Sequence, residues 1–461
     1  MEHDTARVAQ TRFGLGPRPG AHAAAAADPR AFVTRQCDRP DAALITDPQL
    51  QTIEGLRTEF ARFQTAQRAA RRASRKAPEN RALRAVLEAT QDARNARQRA
   101  IINLEIEARF AHTVASDTPF VERLVLFWRN HFAISSASNL AVRWTMGNME
   151  REAIRPHVLG TFGDMLLAAT THPAMLLYLD NFRSIGPNSR RGRRRGITAP
   201  NENLAREVLE LHTLGVDGGY TQGDVVELAN AMTGWVGGFF GTNKKEVFVP
   251  GIHEPGFRTV LGKTYSADGP TQLPRILADL ATHPATARHV AQKFARSFVS
   301  DQPSPALVGA LVDTFRRTGG DLRALSLTLV DHPDAWAPPP SKAVPPYEFA
   351  VAATRATGAA LPTPFLRRAS RAMAQDIFRP PSPAGWPSDD DAFLGGDGLL
   401  ERVDFAEAIA RRFAKDVAPR ALADALFGEA IDPFLDEALA RAESRTQALT
   451  LLLMSPPFHR R

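Results

Sequence analysis

The sequence predicts a mainly α-helical protein, a multi-helix globular fold with one long helical hairpin and a small antiparallel β insertion. Three observations carry that expectation. Apolar residues make up 44% and charged residues 23% of the 461 positions, enough apolar material for a sizeable core in a chain long enough for about three units of ~150 residues. Leu50 to Ala115 is rich in Ala, Arg, Gln, Glu and Leu, with Pro78 as its only proline. Only Trp235–Gly262 breaks up into short β-branched and aromatic groups separated by Gly-, Asn- and Pro-containing turns, the pattern of two or three short antiparallel strands.

The elements follow in order. Arg12–Pro17 carries two glycines and forms a turn that seats the N-terminus; without a preceding strand or a following lysine it is no phosphate loop. Helices over 50–76 and 80–115 meet at Ala77–Asn80, where proline forces a break. Arg68, Arg71, Arg72 and Arg75 cluster on the first arm, either a solvated face or an anion-binding one. Thr118–Pro119 opens a helix with an apolar face of Val121, Leu124, Val125, Trp128 and Phe132, and His131 lies at its margin. Helical segments are expected over 151–169 and 173–179. Thr221 and Asp224 form a capping-box variant, and Gly234 closes the helix they open. His172–Pro173, His283–Pro284 and His332–Pro333 read as helix starts. Trp336 to Pro346 holds five prolines and divides a main helical domain, 1–340, from a C-terminal helical region, 347–461, packed on it. That region reads as helices near 347–358, 365–377, 400–417 and 433–454.

Bulk properties exclude several classes. Cys37 is the single cysteine, so neither an intramolecular disulfide framework nor a Cys-rich metal site exists. No stretch approaches the ~20 apolar residues of a membrane span. Met1–Asp4 is acidic, and Ala23–Ala27 is too short for a signal-peptide core, so the expected location is the cytoplasm. The formal charge of +7 and pI near 9.9 point to an anionic ligand or polyanion as partner.

The densest polar stretch is Pro200–Gly215. On a 100° helical wheel Leu204, Val208 and Leu211 share one side, and Asn203, Arg206, Glu207 and Glu210 the other, with His212 toward the apolar side. Asn201 is the expected N-cap and Gly215 the stop. Asn203, Glu207 and Glu210 can aim at one ion, with His131 or His253 supplying nitrogen; such a set suits a divalent transition metal, which lowers the pKa of bound water and makes a hydrolytic nucleophile. Glu207, Glu210, His131 and Asn203 are therefore the catalytic candidates, and Glu207, Glu210, His131 and His253 the metal candidates. No HExxH or Gly-x-Ser-x-Gly pattern supports a known hydrolase arrangement. A buried polar network and a solvated face laced by Glu202–Arg206 and Arg206–Glu210 pairs remain open alternatives. Just upstream, Arg190–Arg195 has five arginines in six positions. Like charges repel, so an exposed, mobile loop is expected; Arg193, Arg194 and Arg195, with Arg206 and Asp180, are candidates for binding an anionic substrate. The two function classes are a metal-assisted hydrolase acting on an anionic substrate and a non-enzymatic polyanion-binding or assembly protein.

Several motifs occur together in one order: Phe127–Phe132 (FWRNHF), Tyr178–Asn181 (YLDN), Pro200–Gly215, Tyr220–Val225 (YTQGDV), Thr233–Trp235 (TGW) and Pro380–Pro387 (PPSPAGWP). In this the chain resembles the bacterial family catalogued as domain of unknown function 1800, from about Arg12 to Phe405. The resemblance implies a predominantly helical fold without an assigned activity or catalytic residues. It also implies a partner from a sulfatase- or phosphatase-like family often encoded beside it, and many members look exported. Arg129 stands where the family commonly has histidine, and the reading of Met1–Ala27 leads to an expectation of no export signal.

Overall fold

The computed structural model describes residues 4–239, 247–338 and 342–461. Ile53–Lys76 and Arg81–Ala115 are two long helices. Asn80 starts the second by accepting from the amides of Ala82 and Leu83 at 3.0 and 3.3 Å, the chemistry that favours Asn at a helix start. Arg97 bonds Glu59 at 2.6 and 3.0 Å and Arg94 bonds Gln67 at 2.8 Å, so the helices run back along each other. Leu56, Phe60, Ile101, Trp144 and Phe239 fasten their base in a satellite apolar cluster. Arg68, Arg71, Arg72 and Arg75 are all exposed on the first arm.

Pro119–His131 is the central helix. The expected apolar face is buried, but so are Glu122 and Arg123 on other sides, because neighbours surround it. One continuous apolar cluster runs from Ala6 to Phe458 and includes Phe349, Phe405 and Leu449 of the C-terminal region. The Arg12–Pro17 turn ties into it. Arg12 donates to the Ala335 and Ala337 carbonyls at 2.7 and 3.1 Å, while Gly16, at φ +90°, lies where a Cβ would come within 2.5 Å of the Ala352 Cβ. Lys342 and Arg461 exchange backbone hydrogen bonds at 3.2 and 2.9 Å.

The His-Pro pairs start helical turns by a specific device. In His172, His283 and His332 the Nδ1 accepts the amide two residues on, at 3.1, 3.1 and 3.2 Å. An imidazole thus takes the role usually given to Ser or Asp, and proline fills the position that needs no donor. Thr221 and Asp224 make the expected capping box.

Several boundaries differ from expectation. The sheet consists of β1 (Arg258–Val260) and β2 (Lys263–Tyr265), antiparallel. It turns at Leu261–Gly262, both with positive φ, so β2 lies beyond Gly262. Trp235 and Phe248 form only an isolated bridge, and Phe240 lies outside the described residues. The 151–169 helix is absent as such. A π turn over Met149–Ile154 leads to a 3-10 turn at Arg155–His157, where Pro156 interrupts, and a helix resumes at Phe162–Thr171. The expected 433–454 helix is two, Pro433–Ala440 and Arg445–Leu453, the second capped by Ser444. Pro419–Phe427 is a further helix. Part of the proline-rich segment, Pro339–Ser341, also lies outside the described residues. Among the described residues no helix is long and apolar enough to cross a membrane.

Candidate functional site

Pro200–Gly215 is not one regular α-helix. It is helical over Asn203–Glu207 and widens into a π turn over Val208–His212. Its N-cap is Glu202, without a side-chain cap bond, and not Asn201; Asn201 lies one residue earlier and accepts the Asn203 amide at 3.0 Å, while Gly215, at φ +85°, ends the stretch with its amide on the Leu209 carbonyl at 3.2 Å. The wide turn shifts the register. Val208, Leu209 and His212 are buried while Leu211 is only partly so, where a uniform 3.6-residue period places Leu211 inside. Carbonyls released by the wide turn are taken by imidazoles: His289 Nε2 donates to Leu211 and His131 Nε2 to His212, both at 3.0 Å. Such insertion of side chains into the helical ladder is how π turns are accommodated.

This geometry does not bring the expected metal ligands together. His131 is buried among Trp128, Phe132, Phe162 and His212, with its Nε2 committed to a carbonyl. His253 donates through Nδ1 to the Thr233 carbonyl at 2.8 Å. Glu207 and Glu210 remain on the outer side of their turn, and Asn203 is exposed. Among the described residues no group of three or more His, Cys, Asp or Glu is placed to hold a metal ion. Asp180, in a left-handed backbone conformation, offers its carbonyl to Asn201 at 3.2 Å, and its side chain lies 3.8 Å from Arg183.

What the stretch does present is a coupled acidic pair. Arg206 bridges Glu202 at 3.0 Å and Glu210 at 3.5 Å, the two i,i+4 contacts expected, and Gln222 joins it at 2.8 Å. Glu207 is half-buried. Burial and then the Glu210 charge raise its carboxyl above the ordinary range, against the pull of Arg206. Beside it, burial and the Glu207 charge push the Tyr178 phenol up to about 12. The Tyr220 phenol is also at about 12, through burial and a hydrogen bond to Glu210.

The arginine run is a short helix, Arg190–Arg195, and not the mobile loop that charge repulsion implies. Its fastening outweighs the repulsion. Ser189 accepts the Gly192 amide at 3.0 Å and donates to the Gly186 carbonyl at 2.6 Å, and Gly196, at φ +63°, closes the turn. The buried Glu254 accepts from the Asn188 backbone and side chain at 2.7 and 2.6 Å. Gly192 is packed so closely that a Cβ would lie 2.0 Å from the Gly186 carbonyl. Arg190, Arg191, Arg193, Arg194 and Arg195 are all exposed and have no carboxylate partner among the described residues. Four of them surround one shallow depression with Gly251. The Ser189 and Gly196 signals are legible in the sequence, whereas the Glu254 clamp, 66 residues from Asn188, is not.

Fold and surface together define a mainly α-helical protein that presents a fixed cationic turn and a half-buried pair of carboxylates. The chain belongs to the family described as "Protein of unknown function (DUF1800)", whose profile matches residues 8–460. No curated protein and no solved structure matches the chain.

Proposed function

We propose that the protein binds a polyanion through the Arg190–Arg195 helix, the binding class rather than the metal hydrolase. The observation that carries this reading is a turn of five exposed arginines without carboxylate partners among the described residues, held by buried hydrogen bonds of Ser189. A guanidinium already ion-paired has to exchange one anion for another, whereas these arginines exchange only water and counterions. Because the turn is fastened before binding, less ordering entropy opposes association. The exposed arginines of the Ile53–Lys76 helix add a second basic face for a long ligand.

The test is a salt titration of binding to a single-stranded oligonucleotide, read by fluorescence anisotropy. Replacing Arg190, Arg191, Arg194 and Arg195 by Gln should weaken binding and flatten the slope of log K against log salt by about 3, at ~0.7 per lost phosphate contact. An unchanged slope in a folded variant overturns the proposal.

A second reading rests on the raised carboxyl of Glu207. A carboxyl raised above its ordinary range beside a second carboxyl is the arrangement from which a general acid–base pair is built. Site-resolved carboxyl NMR titration tests it: a Glu207 midpoint no higher than that of Glu202 removes the basis for proton transfer there.

A further inference from the structure

Away from both surfaces, the interior holds a concentration of arginine. Arg155, fully buried, bonds Glu122 at 2.8 Å and Glu150 at 2.8 Å. Glu150 also meets Arg109 at 3.2 Å and Arg129 at 3.0 Å, while Glu348 meets Arg123 at 3.5 Å and Arg461 in a closer contact. Five guanidiniums therefore share three carboxylates in a largely buried region. Buried charge without a counter-charge is strongly unfavourable, so this excess calls for a compensating anion.

The place for one is next to it. A cavity of about 90 Å³ is lined by Arg109, Arg123, Arg129 and Arg461 together with Asn130 and Glu348. A single water needs only ~10–15 Å³ measured this way, so the space admits a group of several heavy atoms. Its outer wall is Trp386–Ser388, of which Pro387 and Ser388 are exposed, so the cavity lies just beneath the surface. That wall is held in register: the Asn130 amide donates to the Trp386 carbonyl at 2.9 Å, and its oxygen accepts the Trp386 amide at 2.7 Å.

The four arginines are not equally available. Arg123 donates to the Thr11 and Gly14 carbonyls, both at 3.2 Å, and Arg461 to the Ser297 carbonyl at 3.2 Å. Arg109 lies over the Tyr347 ring at 4.3 Å. Arg129 reaches Glu150 through Nε and stacks on Phe378 at 4.7 Å; among the described residues no other carboxylate, and no carbonyl, takes its terminal nitrogens. Its side chain is 17% exposed, against 2–5% for the other three. The planar fork of Arg129 thus keeps an unused edge, the geometry that matches the two oxygens of a carboxylate or phosphate.

We propose that this cavity binds a small oxyanion, a carboxylate or phosphate group, with Arg129 as its main anchor. Binding would offset the surplus of guanidinium and would be specific for an oxyanion because the fork pairs with two oxygens at once. The site differs from the arginine helix in every residue, so the two proposals stand or fall separately.

The experiment is isothermal titration calorimetry of the full chain with inorganic phosphate and with acetate, against chloride at matched ionic strength. One oxyanion should bind saturably where chloride does not, and the comparison identifies which. Arg129→Met should weaken that binding roughly ten-fold or more, the effect of losing a charge-assisted contact. Should that variant fold poorly, Ser388→Asp places a repelling charge on the exposed rim with no buried change, and should weaken binding as well. The quadruple arginine-helix variant should bind the oxyanion as the parent does. Saturable binding by neither oxyanion, or binding that survives both cavity substitutions, overturns the proposal.

Discussion

The buried carboxylate Glu122 provides the sharpest test of how the interior is held together. It is fully enclosed and accepts from Arg155 at 2.8 and 3.2 Å and from the Thr113 hydroxyl at 3.0 Å, with His112 Nε2 at 3.2 Å. Burial by itself raises its carboxyl, but the charge of Arg155 and the hydrogen bonds from His112 and Arg155 more than offset this and hold it at about 2, against an ordinary 4.5. At ~1.4 kcal/mol per pKa unit that difference is worth ~3 kcal/mol of stability near neutral pH. Breaking one side of a buried ion pair costs about 3–5 kcal/mol by an independent route, so the two agree. Glu122→Gln keeps the shape and removes the charge. With an unfolding entropy of ~2.1 cal/mol/K per residue, a loss of ~3 kcal/mol lowers the melting midpoint by ~3 °C. The sign of the pH dependence is fixed as well. A folded value below the unfolded one contributes stability that is complete above the unfolded value and is lost as pH falls through the folded one. The gap between parent and variant in urea midpoint should therefore close as pH is lowered from about 5 towards 2. Coincident midpoints at neutral pH, or a gap that persists unchanged into acid, would refute the reasoning.

Two further outcomes follow from the same geometry. His131, His212 and His289 are driven down by burial and by the nearby Lys293 charge, His212 to about 3 and His289 to about 4. Their contribution is complete above the unfolded value of about 6.5 and is lost as pH falls, so urea midpoints should decline below pH ~6.5 and His212→Leu should flatten the decline; a flat parent profile counts against it. Gly385, at φ +88°, lies where a Cβ would come within 2.5 Å of the Asn130 carbonyl. Gly385→Ala should destabilise by more than the ~1–2 kcal/mol of the left-handed backbone alone, whereas Gly396→Ala, with no atom within 4 Å of the added Cβ, should be neutral or slightly stabilising; equal urea midpoints for the two variants would contradict this.

Those elements separate what was legible in the sequence from what was not. Local chemistry wrote the long helices, the His-Pro starts and the Thr221–Asp224 box directly: Pro78 breaks, Asn80 caps, and proline needs no donor in a first turn. Apolar spacing cannot distinguish a 3.6-residue turn from a wider one, so the π turn at Val208–His212 was invisible. What identifies it is the pair of carbonyls given to His131 and His289, contacts made 81 and 78 residues away in the chain. The same long-range contact commits His131 Nε2 to a carbonyl and not to the Glu207–Glu210 face. The arginine helix departs from the expected loop for a different reason: five like charges favour an open loop, but the Ser189 and Gly196 caps on either side close the segment into a helix. The cavity had no local signature, since its arginines are scattered from Arg109 to Arg461. Its only sequence trace is that Arg129 and Asn130 fall in one family motif and Trp386 in another, and the fold bonds these two motifs together.

The two proposed anion sites use one side chain under opposite physical conditions, and this makes them separable in solution. Exposed arginines act through a field that fades over a Debye length of ~8 Å at physiological salt, so a ligand on Arg190–Arg195 should be released steeply as salt rises. Arg129 acts inside the protein, where screening is weak and each hydrogen bond counts for more because water does not compete. A small oxyanion there competes only with an anion that fits the same fork, so chloride displaces it poorly and salt weakens it little. Salt dependence thus reports which site a ligand occupies before any residue is changed. A ligand carrying several phosphates should show the steep response, and a single carboxylate or phosphate the shallow one.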